Sequence, residues 1–181
     1  MTNLVEYSWS TFSYWEQDEG DHTTLSPTLL KPISSLSASL TFLASYLPPA
    51  LLTTAYKRII AHIASHLHQR LIYHRSKGRF TTVAGAHFRA QCDIWIQTCA
   101  RAVHGGAQTW SVRRPEAGWA KLQDVAALLS IGEAEVGNVV SAVFNSAGDE
   151  SYTQLCEELG LNGSLTLDEV QDALRARTDT R

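Results

Sequence analysis

At 181 residues, with 44% hydrophobic and 18% charged residues, the chain has enough apolar material for one well-filled domain, or for two small helical lobes sharing a core. Its formal net charge of −3 conceals three blocks: residues 1–21 carry five acids and no base, residues 22–114 carry eleven Lys or Arg against the single acid Asp93, and residues 115–181 carry twelve acids against four bases. Three cysteines, Cys92, Cys99 and Cys156, exclude a paired disulfide framework and read as reduced thiols.

Either the charge blocks attract one another within the fold, or the basic middle meets an acidic helix, a phospholipid surface or nucleic acid. Cys92 and Cys99 are seven apart, which on one helix separates them by roughly 10 Å, beyond the roughly 4.4–6.8 Å that a disulfide needs between Cα atoms. The first residues hold no basic stretch leading into an apolar run, so no secretory signal is expected.

Apolar positions follow a helical period nearly throughout, which predicts an all-α fold of about seven to eight helices. An amphipathic helix is expected over residues 2–17, with Leu4, Val5, Tyr7, Trp9, Phe12 and Trp15 as its apolar content, ended by the acidic loop 16–21. Ser26-Pro27 then reads as an N-cap followed by proline at the first helical position, opening a helix that runs to about Tyr46.

Residues 32–56 contain no charged residue, and that length could span a bilayer. Pro48-Pro49 and the interspersed Ser and Thr residues argue instead for two buried helices joined at Leu47-Pro48-Pro49.

The third helix, over 50–75, carries Leu52, Tyr56, Ile59, Ile60, Ile63, Leu67 and Leu71 on one face, and Gly78 is placed as its C-terminal stop. The fourth, over 83–104, repeats Phe88, Cys92, Trp95, Cys99 and Ala102 or Val103 at coiled-coil-like spacing. A long irregular link at 105–116 holds Trp110 and Arg113-Arg114. Shorter helices follow over 117–131, 133–146, 151–159 and 166–177, the last two opened by capping-box patterns, and the final four or so residues are expected to fray.

Motifs for chemistry are sparse. His62 and His66 have the i,i+4 spacing that can present two imidazoles to a metal, but Ile63 stands where a zincin has glutamate, and no acid lies between Asp21 and Asp93. Cys92 and Cys99 lie on an apolar stripe, as small hydrophobes do. Gly78, Gly85 and Gly105-Gly106 read as helix-end glycines, and no nucleophile elbow, phosphate loop or dinucleotide fingerprint is present. No catalytic, metal or cofactor site is expected.

Arg70, Arg75, Lys77, Arg79 and Arg89 bracket a helix corner with Phe80 at its centre. Phosphate contact is one use of such a corner, but no nucleic-acid fold pattern accompanies it.

The run Ile72-Tyr73-His74-Arg75-Ser76-Lys77-Gly78-Arg79-Phe80-Thr81 is followed by Gly85-Ala86-His87-Phe88, by Asp93-Ile94-Trp95, and then by Leu122-Gln123-Asp124-Val125-Ala126-Ala127-Leu128-Leu129-Ser130. This order, over about residues 50–177, resembles the C-terminal region of the RINT/TIP family of vesicle tethers, the Tip-twenty-type subunit of the Dsl tethering complex. The sequence departs from the family at His87, where glutamine is more typical, and in the long basic link; residues 1–49 match only as helical pattern.

The resemblance implies an elongated helical-bundle rod of the multisubunit-tethering class, with residues 1–49 continuing an upstream bundle and 50–181 forming the C-terminal bundle. It implies no cofactor and no enzyme activity. It implies a cytoplasmic protein peripherally associated with the endoplasmic reticulum, which binds fellow tether subunits and ER SNARE proteins in retrograde Golgi-to-ER transport. Peripheral contact with an acidic membrane surface is a further expectation. The protein-binding strip is expected at Arg75, Lys77, Arg79 and Phe80, with Trp110, Arg113 and Arg114 in the link. The alternatives are another tethering complex, of exocyst or Golgi type, and a basic helical nucleic-acid-binding module.

Overall fold

The structure, a computed structural model, describes residues 27–73, 80–104, 112, 114–145, 154 and 156–180. Regular structure among them is helical: α1 (Pro27–Tyr46), α2 (Pro49–Tyr73), α3 (Thr82–His104), a 3-10 turn (Pro115–Trp119), α4 (Ala120–Leu129), α5 (Glu133–Asn145) and α6 (Leu167–Arg175). The expected first helix over 2–17 lies outside the described residues.

Proline sets the first two helix starts. Pro27 and Pro49 each occupy the first helical position, where a missing N–H costs nothing. The residue before a proline avoids the helical region, so Pro48-Pro49 separates α1 from α2. Pro32 is accommodated inside α1.

Packing divides the chain into two compact units: Met1–Leu67 with Ala90–Trp119, and His68–Arg89 with Ala120–Arg181. In the first, α1 buries Ile33, Leu36 and Leu40, and α2 buries Leu52, Tyr56, Ile60, Ile63 and Leu67 of the apolar stripe read from the sequence, with Ile59 half-buried. The second half of α3 contributes Cys92, Trp95, Cys99 and Val103. Each fully buried Leu or Ile contributes about 2 kcal/mol.

The helix expected over 117–131 is instead a 3-10 turn followed by α4. Gly118 lets that turn lie on α2, because a Cβ there would come within 2.9 Å of Ile60 Cγ2. Trp119, completely buried, follows it.

In the second unit α4 is buried almost all round, through Leu122, Asp124, Val125, Ala126, Leu128 and Leu129, as befits a central core helix. Helix α6 packs against both α4 and α5. It contributes Val170, Ala173 and Leu174, and α5 contributes Val136, Val139 and Val143. The capping box read at Thr166 is present: the Glu169 backbone N–H donates to the Thr166 hydroxyl, and Glu169 Oε2 accepts from the Thr166 N–H at 2.9 Å. Phe144, expected among the apolar positions of its helix, is 39% exposed and lies under the Arg175 guanidinium at 5.2 Å.

No single described helix is long and apolar enough to cross a membrane. The segments Pro115–Leu129 and Glu133–Phe144 reach that composition only together, bent by 117°.

Candidate functional site

The C-terminal end of α4 leaves carbonyl oxygens with no partner inside the helix. In the second unit they are taken by Arg177. Its Nη1 donates to the Leu128 and Leu129 carbonyls at 3.0 and 2.9 Å. Its Nε and Nη2 grip the Asp179 carboxylate bidentately at 2.9 and 2.6 Å, and Nη2 also donates to the Thr82 hydroxyl at 3.3 Å. All five guanidinium donors thus have acceptors. Only that satisfaction makes a fully buried arginine tolerable. The guanidinium holds the Asp179 carboxyl below the usual carboxylate range.

Around this clamp, Phe80 pairs with the chain end in a parallel bridge. The Phe80 N–H donates to the Ala176 carbonyl at 2.9 Å, and the Thr178 N–H donates to the Phe80 carbonyl at 3.0 Å. The clamp therefore fixes Phe80, the residue that follows the basic run 74–79 in the sequence. It also corrects the expectation of a frayed terminus: α6 ends at Arg175, and residues 176–180 are pinned by the Arg177 bonds, the Phe80 pairing and the Thr180 hydroxyl on the Leu174 carbonyl.

Gly85 completes the arrangement. It is not a helix end but lies inside the first turns of α3. A Cβ there would fall 1.8 Å from the Leu129 carbonyl oxygen, so α3 crosses the end of α4 at a distance only glycine allows.

The Asp124 carboxylate, also buried, accepts four bonds from the loop before α6: from the Asn162 N–H (2.7 Å) and amide (2.9 Å), and from the Ser164 N–H (3.0 Å) and hydroxyl (2.6 Å). Glu169, besides capping α6, receives Lys121 Nζ at 2.8 Å and stands 4.0 Å from His68 Nδ1. Burial lowers the His68 pKa, with Glu169 pulling it back up.

The expected strip residues fall as follows. Phe80 is 6% exposed, in the second unit, with its ring edge-to-face with Phe88 at 6.1 Å, so its ring serves the core of that unit. Arg114 is exposed, in the first unit, with a left-handed φ of 54° that is strained for arginine. Arg75, Lys77, Arg79, Trp110 and Arg113 lie outside the described residues. Arg177, Asp124 and His68 were missed by sequence reading. The signal for Arg177 was its place beside Thr178-Asp179 in the last, acidic block.

The thiols are sequestered. Burial pushes Cys92 well above its ordinary pKa and Cys99 up to about 12, so both stay protonated at neutral pH. Burial likewise raises Tyr56 to about 12, partly offset by the adjacent Trp119 indole N–H and reinforced by Cys99 and Glu116. Rings of His62 and His66 stack at 6.2 Å, and among the described residues no group of three or more His, Cys, Asp or Glu is placed to hold a metal ion. A recess of about 230 Å³ in the second unit is lined by charges of both signs, Arg89, Glu135 and Glu158, with Ser130, Leu159 and Leu161.

Arg177 and Asp124 are thus consumed in capping a helix end and holding a loop, and the thiols are locked in the core of a helical scaffold. The chain belongs to the RINT-1/TIP-1 family, whose sequence profile matches residues 2–177. This is a family of tethering proteins. The match includes residues 2–49, which the motifs alone did not reach. No curated protein and no solved structure matches the chain.

Proposed function

We propose that the chain is a non-enzymatic protein-interaction domain of a vesicle-tethering subunit that works in Golgi-to-ER retrograde transport. The observation that carries this reading is the family match over residues 2–177. Its partners are fellow tether subunits of a Dsl-type complex and ER SNARE proteins, reached from the cytoplasmic side while the protein is held peripherally at the endoplasmic reticulum. Residues 1–49 continue an upstream bundle and 50–181 form the terminal bundle, a division of roles distinct from the two packing units.

The binding strip lies at Arg75, Lys77 and Arg79, and at Trp110, Arg113 and Arg114 in the link. Phe80 and the Arg177 clamp support the first of these groups by anchoring the residue that follows it. The corner's charge also suits contact with an acidic lipid surface.

Capture from cell extract at low and moderate salt, with this chain as bait, tests the reading. Recovery of ER SNAREs or tether subunits that persists at moderate salt supports it. Recovery only of nucleic acid, lost as salt rises, overturns it in favour of a basic nucleic-acid-binding module.

A further inference from the structure

The joint between α1 and α2 is bordered on both sides by exposed apolar side chains. Of the six large hydrophobic residues exposed among the described residues, three fall close to Pro48: Phe42, Tyr46 and Leu51, at 61%, 73% and 58%. The Phe42 and Tyr46 rings pair at 4.6 Å at the end of α1. Pro48 and Ala50, between Tyr46 and Leu51, are exposed as well. No charged residue occurs from 32 to 56 to hold this joint in water.

Several hydrogen-bonding groups at the joint are served within their own helices. The Ser45 and Thr54 hydroxyls donate to the carbonyls of Thr41 and Ala50, four residues back, at 3.0 and 2.9 Å. The Leu47 N–H donates to the Leu43 carbonyl and the Leu52 N–H to the Pro48 carbonyl, both at 2.9 Å. Pro48 and Pro49 bring no N–H to the start of α2, where a helix otherwise presents unpaired donors. Donors that are satisfied or missing lower the cost of leaving water for hydrocarbon.

Charge begins where the apolar surface stops. Lys57 and Arg58 are both exposed, about 12 Å along α2 from Pro49. Leu51, Thr54 and Arg58 recur at helical spacing on one exposed face of α2, apolar at the joint and cationic beyond it. No acid occurs anywhere from 22 to 92.

We infer that the α1–α2 joint is a membrane-contact site. It dips Phe42, Tyr46 and Leu51 into the headgroup–acyl boundary of a bilayer while Lys57 and Arg58 meet acidic headgroups. Interfacial segments enter a bilayer by about 5–10 Å, so cations that begin about 12 Å from the joint stand at headgroup level. Tyrosine suits that boundary, because its ring is apolar and its hydroxyl stays wet. The cationic rim on an acid-free stretch of chain selects an anionic lipid surface over a protein groove. The site is separate from the basic run 75–79 and does not rest on the tethering partners proposed above.

Flotation of the full chain with phosphatidylcholine vesicles, with and without about 30% phosphatidylserine, tests the inference. The chain should float with the acidic vesicles, and at least about tenfold less with the neutral ones. Phe42→Ser with Tyr46→Ser, and separately Lys57→Glu with Arg58→Glu, should each lower flotation at least about tenfold with the unfolding midpoint unchanged. A polarity-sensitive dye on Tyr46→Cys should shift to the blue on acidic vesicles, and one on Leu30→Cys, at the other end of α1, should not; the native thiols are buried. No flotation with acidic vesicles would overturn the inference. So would flotation that survives both joint variants and is lost on charge reversal at Arg75, Lys77 and Arg79, or an equal response from the two dyes. Capture of tether subunits or SNAREs from extract is a separate readout, unaffected by either result.

Discussion

Arg177 donates to the carbonyl oxygen of Leu129 at 2.9 Å, and so the last described turn of the chain caps a helix that begins more than fifty residues earlier. A cation at a helix C-terminus also complements the helix dipole. Because the same guanidinium holds Asp179 and Thr82, three segments of the second unit meet at one fully buried side chain.

Replacing Arg177 with methionine strands the two carbonyls and the Asp179 carboxylate. The expected loss is about 3–5 kcal/mol in urea unfolding. Arg177→Lys recovers little of it, because an ammonium cannot reproduce the five-donor fork. A loss below about 1 kcal/mol for the methionine variant would mean the clamp is dispensable.

Two glycines should respond with opposite sign. Gly85→Ala drives a methyl into the Leu129 carbonyl and is expected to cost at least about 2 kcal/mol. Gly137→Ala, in α5 with nothing near its Cβ, is expected to stabilise by about 0.5–1 kcal/mol. Thermal or urea unfolding of the two variants side by side checks both.

Asp124→Ala removes the acceptor for four donors of the 162–164 loop. About 2–4 kcal/mol of destabilisation is expected. Hydrogen exchange should show the Asn162 and Ser164 amides losing protection first.

Stability should fall in two steps as pH drops. Burial holds His68 below the ordinary imidazole range, so the unfolded chain protonates first. That part of the stability is complete above about pH 6.5 and declines as pH falls from there toward the lower folded value, by at most about 1.4 kcal/mol per pH unit for one proton. Asp179, held low by Arg177, adds a second decline: its contribution is present above about pH 4 and is lost as pH falls through its folded value. Urea unfolding from pH 8 to 3 reads both steps, and His68→Gln should flatten the first.

Much of the helical layout was legible because it rests on local rules. The start of α1 at Pro27, the break at Pro48-Pro49, the stripe from Leu52 to Leu67 and the Thr166 capping box depend on residues within a turn or two of one another. What escaped depends on distance. Nothing local but Asp179 distinguishes Arg177 from a solvated terminal arginine, since its carbonyl acceptors are 49 and 48 residues away. Gly85 reads as a helix-end residue until α4 is seen crossing it. Phe80, set among basic residues, reads as a surface aromatic; pairing with Ala176 and Thr178 takes it into the core. Helix boundaries differed where side chains from other segments intervened, as at the 3-10 turn seated on Ile60.

The proposal that this domain docks trafficking partners through its basic corner is tested most directly by charge reversal there. The triple variant Arg75→Glu, Lys77→Glu and Arg79→Glu should leave the unfolding midpoint unchanged while capture of tether subunits or ER SNAREs falls by at least about tenfold, a loss of about 1.4 kcal/mol or more. Capture at the level of the unaltered chain, with the variant folded, would contradict the account and move the binding surface elsewhere on the bundle.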